Sequence, residues 1–272
     1  MKNSKLYQRY RYSLILLREL VATDFRLRYQ SSALGYLWSV LRPLFLFAIL
    51  YTIFSIFLGI GRDIPHWPIA LLLGIVLWNF FTEVAGGGLK AIVNRGGLLR
   101  KISFPRYIVV VSGTVSAFIN LLLNLLVIAV FMIINQVEPS WTMLLLPLVI
   151  LELFLFSLGL AFFLGALNVK FRDTQYIWEI VQRGMFYASI VLYPATRIAD
   201  KSVEGAITLL LSPVAQVIQD ARYLLITHKV PTLYSISDNL TLAVVPIGIS
   251  LVVFVFGALY FRKKSPHFAE DI

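Results

Sequence analysis

The chain has 272 residues, of which 59% are hydrophobic and 14% charged, with a formal net charge of +10. A soluble domain carries roughly 25% charged residues, so this composition excludes a water-soluble globular protein and reads as an integral membrane protein. On such a chain a positive balance reflects bias between loops rather than nucleic-acid binding, and the absence of cysteine excludes disulfides and thiolate metal sites.

Residues 1–35 form a basic prelude, expected in the cytoplasm, with no cleavable signal after the polar stretch Met1 to Arg11. Leu16, Leu17, Leu20, Val21, Phe25 and Leu27 share one broad helical face, and Arg18, Glu19, Thr23 and Arg26 lie opposite. Asp24 and Arg28 have the spacing of an i,i+4 ion pair. This segment is too charged to span, so an amphipathic helix in the membrane interface is expected. Two readings of it stand: a surface anchor, or an anchor whose polar face meets a partner.

Six transmembrane helices are expected in an all-α fold, at about 36–59, 68–89, 107–134, 142–167, 176–195 and 240–261, since about 20 apolar residues cross the hydrocarbon. Arg42-Pro43 makes the start of the first irregular or kinked. Glu83 and Glu152 are ionisable groups at membrane depth, where such groups face protein or a polar path, and Glu83 is the better functional candidate. Of the 24 lysines and arginines, only Arg62, Arg197, Lys201, Arg222 and Lys229 fall on loops assigned to the outer side. By the positive-inside rule both termini, including the tail 262–272, are then cytoplasmic.

The cytoplasmic loop 90–106 holds the stretch Asn94 to Arg106, NRGGLLRKISFPR, with four cations and no acid. Its apolar residues Leu98, Leu99, Ile102 and Phe104 fit a docking element for a soluble partner; a loop that only fixes topology is the other reading. The connection 196–239 keeps two apolar runs broken at Ser212-Pro213, each short of a span. These are expected as re-entrant or interfacial helices forming an outer gate region, or as an ordinary surface loop.

No Walker-type phosphate loop, His-Glu-x-x-His motif or nucleophile elbow is present, and His66, His228 and His267 are scattered. An enzyme is not expected, nor a metal site or cofactor on this chain. Aromatic residues are abundant instead: Tyr36, Trp38 and Tyr51 in the first span, Trp78 and Phe81 in the second, Tyr187 and Tyr193 in the fifth. Such rings suit the C–H faces of a sliding sugar chain, and equally suit membrane interfaces and packing.

Several segments together resemble a known family. They are Asp24-Phe25-Arg26-Leu27-Arg28-Tyr29, Leu34-Gly35-Tyr36-Leu37-Trp38, Arg42-Pro43-Leu44, Leu77-Trp78-Asn79-Phe80-Phe81, Phe104-Pro105-Arg106, Leu167-Asn168-Val169, Phe171-Arg172-Asp173, Phe186-Tyr187 and Tyr193-Pro194. In order and spacing the chain resembles the membrane subunit of type-2 ABC exporters, in the polysaccharide branch that exports O-antigen or teichoic acid. The resemblance implies a homodimer of permeases with two copies of a separate ATPase that binds ATP and Mg. It implies a bacterial inner membrane location and a polysaccharide on an undecaprenyl-diphosphate lipid, passing through an aromatic-lined channel.

It further assigns Asn94, Leu98, Leu99, Lys101 and Phe104, with Arg172 and Asp173, to ATPase coupling. Tyr36, Trp38, Tyr51, Trp78, Phe81, Tyr187 and Tyr193 become channel candidates. Arg26, Arg28 and Arg42 become candidates for the lipid diphosphate, since arginine matches phosphate oxygens, or for contacts with anionic membrane lipids. Two positions depart from the family pattern: Ile190 follows Ser189 where proline is frequent, and Ser212 precedes Pro213 where asparagine is usual. The alternatives are the same machine with a drug, haem or lipid as substrate, and an ion-coupled transporter relying on Glu83.

Overall fold

The computed structural model describes residues 2–29, 34–97 and 104–268, and no strand occurs among them. α1 covers Lys2–Tyr29. The first long apolar segment comprises a 3-10 turn at Gly35–Leu37, α2 at Trp38–Leu50 and a π-helical stretch at Tyr51–Phe57. Next come α3 (Trp67–Asn94), α4 (Tyr107–Ile134), α5 (Leu146–Lys170) and α6 (Thr174–Ala188). Four short helices, α7 (Thr196–Ala199), α8 (Val203–Leu210), α9 (Pro213–Leu225) and α10 (Leu233–Ser237), lead to α11 (Leu240–Lys264).

Five helical segments are long and apolar enough to cross a membrane: Gly35–Phe57, Trp67–Asn94, Tyr107–Ile134, Trp141–Lys170 and Leu240–His267. They coincide with the expected first four spans and the sixth. The expected fifth, 176–195, differs, because its helix α6 has only 15 residues and stops at Ala188. Two local causes act there. Pro194 disfavours helical backbone at Tyr193. Ile190 takes a left-handed conformation at φ 55°, which is strained for a β-branched side chain and which a proline could not adopt.

α2 runs through Pro43 without a break, so the irregularity expected at Arg42-Pro43 is confined to the preceding 3-10 turn. Pro43 has no N–H for the carbonyl of Ser39, four residues earlier. Asn124 of α4 donates to that oxygen instead, from Nδ2 at 3.2 Å.

α3 is the central helix, with α4 and α5 packed on it and α11 on α5. Small residues set these distances, as in helix pairs that meet without a hydrophobic drive from water. A Cβ at Gly88 would lie 2.4 Å from the Ala161 Cβ, and one at Gly257 only 2.0 Å from the Gly159 oxygen. Asn168 adds a cross-helix bond, donating to the Leu89 carbonyl at 3.0 Å. The outer helices keep apolar faces exposed, among them Leu126, Val130 and Ile133 on α4 and Leu251, Val255 and Leu259 on α11.

α1 lies against α4 with the periodicity read from sequence. Leu16, Leu17, Leu20, Val21 and Phe25 are half-buried, whereas Arg18, Glu19, Thr23 and Arg26 are exposed. Asp24 pairs with Arg95, just past α3; the side chain of Arg28, the partner expected from spacing, lies outside the described residues. Arg95 also donates to Ser112 Oγ of α4 at 3.0 Å.

α9 packs on α3, α5 and α11. Its Leu224 carbonyl accepts from Thr142 Oγ1 at 3.1 Å, while Gln216 and Asp220 face Glu152, whose Oε1 lies 3.4 Å from Ser250 Oγ. From Leu224 at Thr142 to Gln216 at Glu152, α9 therefore runs beside α5 and the turn before it over about 12 Å at helical rise.

Arg222 of α9, 0% exposed, closes this region. Its Nε donates to the Ala70 carbonyl at 2.9 Å, Nη1 to that of Ile190 at 2.9 Å and Nη2 to that of Val191 at 2.6 Å. The guanidinium lies 5.0 Å over the Trp67 ring. Gly74 leaves the room, since a Cβ there would sit 2.5 Å from Nη2.

Two stability predictions follow from this packing. Arg222→Leu strands the carbonyls of Ile190 and Val191 and is expected to cost about 2–6 kcal/mol, at about 1–3 kcal/mol for each buried unsatisfied group. Arg222→Lys, with one compact ammonium, should fall between, and reversible unfolding in detergent reads both. Gly257→Ile is expected to cost at least about 2 kcal/mol by overpacking, whereas Gly248→Ala on the same helix, where a Cβ meets open space, should be neutral or stabilising.

Candidate functional site

Helical spacing brings one face of each of three helices to a common space. Trp38, Ser39, Arg42 and Leu46 follow one another at i, i+1, i+4 and i+8 on α2. Asn79 and Glu83 lie one turn apart on α3, and Asn120 and Asn124 one turn apart on α4. With Gln182 of α6 these residues line a cavity of about 870 Å³. Its walls mix apolar groups (Val76, Phe80, Ala117, Leu121) with amides, a carboxylate and a guanidinium.

The polar groups are organised from α4 outward. Asn120 Nδ2 donates to Glu83 Oε1 at 3.1 Å and lies 3.4 Å from Oε2, which fixes the carboxylate against α4. Asn124 Nδ2 donates to the Asn120 carbonyl at 2.8 Å as well as to Ser39. Asn120 is 7% exposed, and its Oδ1 has no hydrogen-bond partner among the described residues. Buried acceptors without partners are rare, and each leaves room for a donor.

A second cavity of about 340 Å³ is lined by Trp78, Glu179, Gln182, Arg183, Phe186 and Tyr187. Gln182 borders both. Trp78 and Phe186 meet at 5.5 Å between ring centroids, and Phe186 and Tyr187 at 5.5 Å. Tyr193 donates from its hydroxyl to the Tyr187 carbonyl at 2.6 Å, bridging the break after α6.

Of the residues expected from sequence, Trp38, Arg42 and Glu83 thus meet in the larger cavity, and Trp78 and Tyr187 in the smaller. Phe81 borders neither; it is 0% exposed, stacked on Phe156 at 5.8 Å and edge-on to Trp178. Tyr36 lies beside Phe25 of α1, and Tyr51 stacks on Phe47 where α2 gives way to the π-helical stretch. Asn79, Asn120, Asn124 and Gln182 escaped the sequence reading. Their signal was visible: Asn120 and Asn124 are amides one turn apart in an apolar run, and polar groups at that depth seek each other.

At the basic end of the bundle, Asn94 is the last residue of α3, next to the Arg95–Asp24 pair. Phe104 is half-buried against the core, while Arg172 and Asp173 are exposed in the turn before α6. Leu98, Leu99 and Lys101, and the side chain of Arg28, lie outside the described residues. Arg26 is exposed on α1. Among the described residues no three His, Asp or Glu side chains gather as a metal site.

Comparison with known proteins places these features in context. The ABC-2 type transporter family matches residues 15–226. The O-antigen export system permease protein RfbA of Myxococcus xanthus is 30% identical over 257 residues, spanning 94% of this chain and 95% of that protein. A protein of the same name from Klebsiella pneumoniae is 30% identical over 190 residues, spanning 68% of this chain and 71% of its own length. A family match over most of the chain and a relative aligned almost end to end agree: the chain belongs to the ABC-2 type transporter family.

Proposed function

We propose that the chain is the membrane-spanning permease of an ATP-driven exporter of a lipid-linked polysaccharide, of the O-antigen or teichoic-acid kind. The near full-length likeness to a permease named for O-antigen export carries this reading. The two cavities, one amide-rich and one aromatic, which share Gln182 as a lining residue, support it with surfaces suited to hydroxyls and sugar C–H faces. As a permease subunit the chain is no enzyme. ATP and Mg bind a separate ATPase, and two permeases work with two ATPases in the inner membrane.

In this reading both termini are cytoplasmic, which requires an even number of crossings. Five are supplied by the long apolar helices. The sixth combines α6 with the broken stretch 189–195, and α8 and α9 form a re-entrant hairpin on the outer side. The course of α9 beside α5 over about 12 Å, well into a hydrocarbon core about 30 Å thick, supports that placement. Irregular backbone at such depth is tolerated where protein satisfies it, and Arg222 does so for Ile190 and Val191.

The ATPase docks on the segment from Asn94 to Phe104 and on the turn at Arg172 and Asp173, with Leu98 and Leu99 as buried anchors. Movement of that loop reaches α1 and α4 through Arg95, which binds Asp24 and Ser112. Arg26, Arg28 and Arg42 attract the lipid diphosphate.

Cells lacking the chain are expected to lose the glycan from their surface and to accumulate the lipid-linked form inside; unchanged surface glycan contradicts the export reading. Leu98→Asp combined with Leu99→Asp should leave membrane insertion intact and abolish co-purification of the ATPase. Retention of the ATPase at normal yield sinks the docking assignment.

A further inference from the structure

We propose that the larger cavity is a saccharide subsite within each protomer, holding a neutral sugar unit of the passing chain against Asn79, Asn120 and Gln182, with Trp38 at its rim. This deepens the export reading and rests on it.

The chemistry of the walls selects the ligand class. A lipid tail needs an apolar lining, whereas amides and charges here converge from four helices. A phosphate calls for several cations, and among the described lining residues Arg42 is the one lysine or arginine, beside four amides and a carboxylate. A cation would draw on Glu83, the single carboxylate among the described lining residues, which the Asn120 amide already engages at 3.1 Å. A neutral polyol fits what is left. Each of its hydroxyls both donates and accepts, as does each carboxamide.

The buried Asn120 Oδ1 supplies an acceptor that has no donor among the described residues. The side chains of Asn79 and Gln182 make no hydrogen bond to the described residues, so both amides face the cavity with their full capacity. Trp38, 44% exposed, offers a flat face for sugar C–H groups. The volume, about 870 Å³, falls in the roughly 300–1,000 Å³ range of small-molecule sites. Because Gln182 borders both cavities, a sugar chain leaving the first meets the rings of Trp78 and Tyr187 in the second.

The test is photo-crosslinking in living cells, with p-benzoylphenylalanine at position 182 and, as control, at Leu126, which is 65% exposed on α4. The full chain is expressed with its ATPase in cells deleted for the native copy, and surface glycan is measured alongside. The expected adduct at 182 stains for carbohydrate and is absent at 126. Adding Asn79→Ala should lower its yield about fivefold, the loss of one neutral hydrogen bond. Phospholipid-only adducts, or none, at 182 in cells whose glycan export depends on the chain overturn the subsite. If the deletion leaves surface glycan unchanged, it is the export reading that fails.

Discussion

The guanidinium of Arg222 is the constraint on which the end of the bundle around Ile190 and Val191 depends. A helix that stops inside a membrane exposes carbonyls that water cannot reach, and each costs several kcal/mol unless protein satisfies it. In the proposed placement the chain makes such a stop after Ala188, with Ile190 in a left-handed conformation. One planar side chain from α9 takes the carbonyls of Ile190 and Val191 together with that of Ala70 at the start of α3. Three segments far apart in sequence are held by a single fork-shaped donor, a task that suits arginine better than lysine. Trp67 covers it and Gly74 makes space for it.

α3 links that clamp to the opposite end of the molecule. Its first turns carry Trp67 and Ala70, its middle carries Asn79 and Glu83 in the cavity wall, and its end leads into Arg95 with its partners on α1 and α4. Glycine and alanine contacts with α5 leave little freedom for bending along the way. In the proposed exporter, a push on the cytoplasmic loop therefore acts on a rigid central rod that also borders the cavity and the clamp. The replacement of the Pro43 hydrogen bond by Asn124 ties α2 to the same polar layer.

Much of the fold was legible because its signals are local. Apolar length gave five spans, and the 3.6-residue period of α1 gave the face that lies on α4. The expected fifth span was the exception, because 176–195 carries enough apolar residues to suggest one continuous helix while its helix ends at Ala188. That ending depends on Arg222, more than thirty residues later, and a charge count assigns this arginine to an outer loop. The site was half legible for a related reason. Trp38, Arg42 and Glu83 stand out one at a time, but helix rotation decides which side chains share a space. Phe81 turns inward to Phe156 and Trp178, while the less conspicuous Asn79 and Gln182 face the cavity.

The central claim is that this chain, driven by a partner's ATP, moves a lipid-linked glycan across the membrane. Reconstitution of the permease with its ATPase in liposomes carrying undecaprenyl-diphosphate-linked glycan extracted from the source cells tests it most directly. With ATP, the account predicts that glycan exposed on the ATPase side becomes progressively protected from a glycosidase added on that side. No protection with ATP, or equal protection without it, would contradict the account.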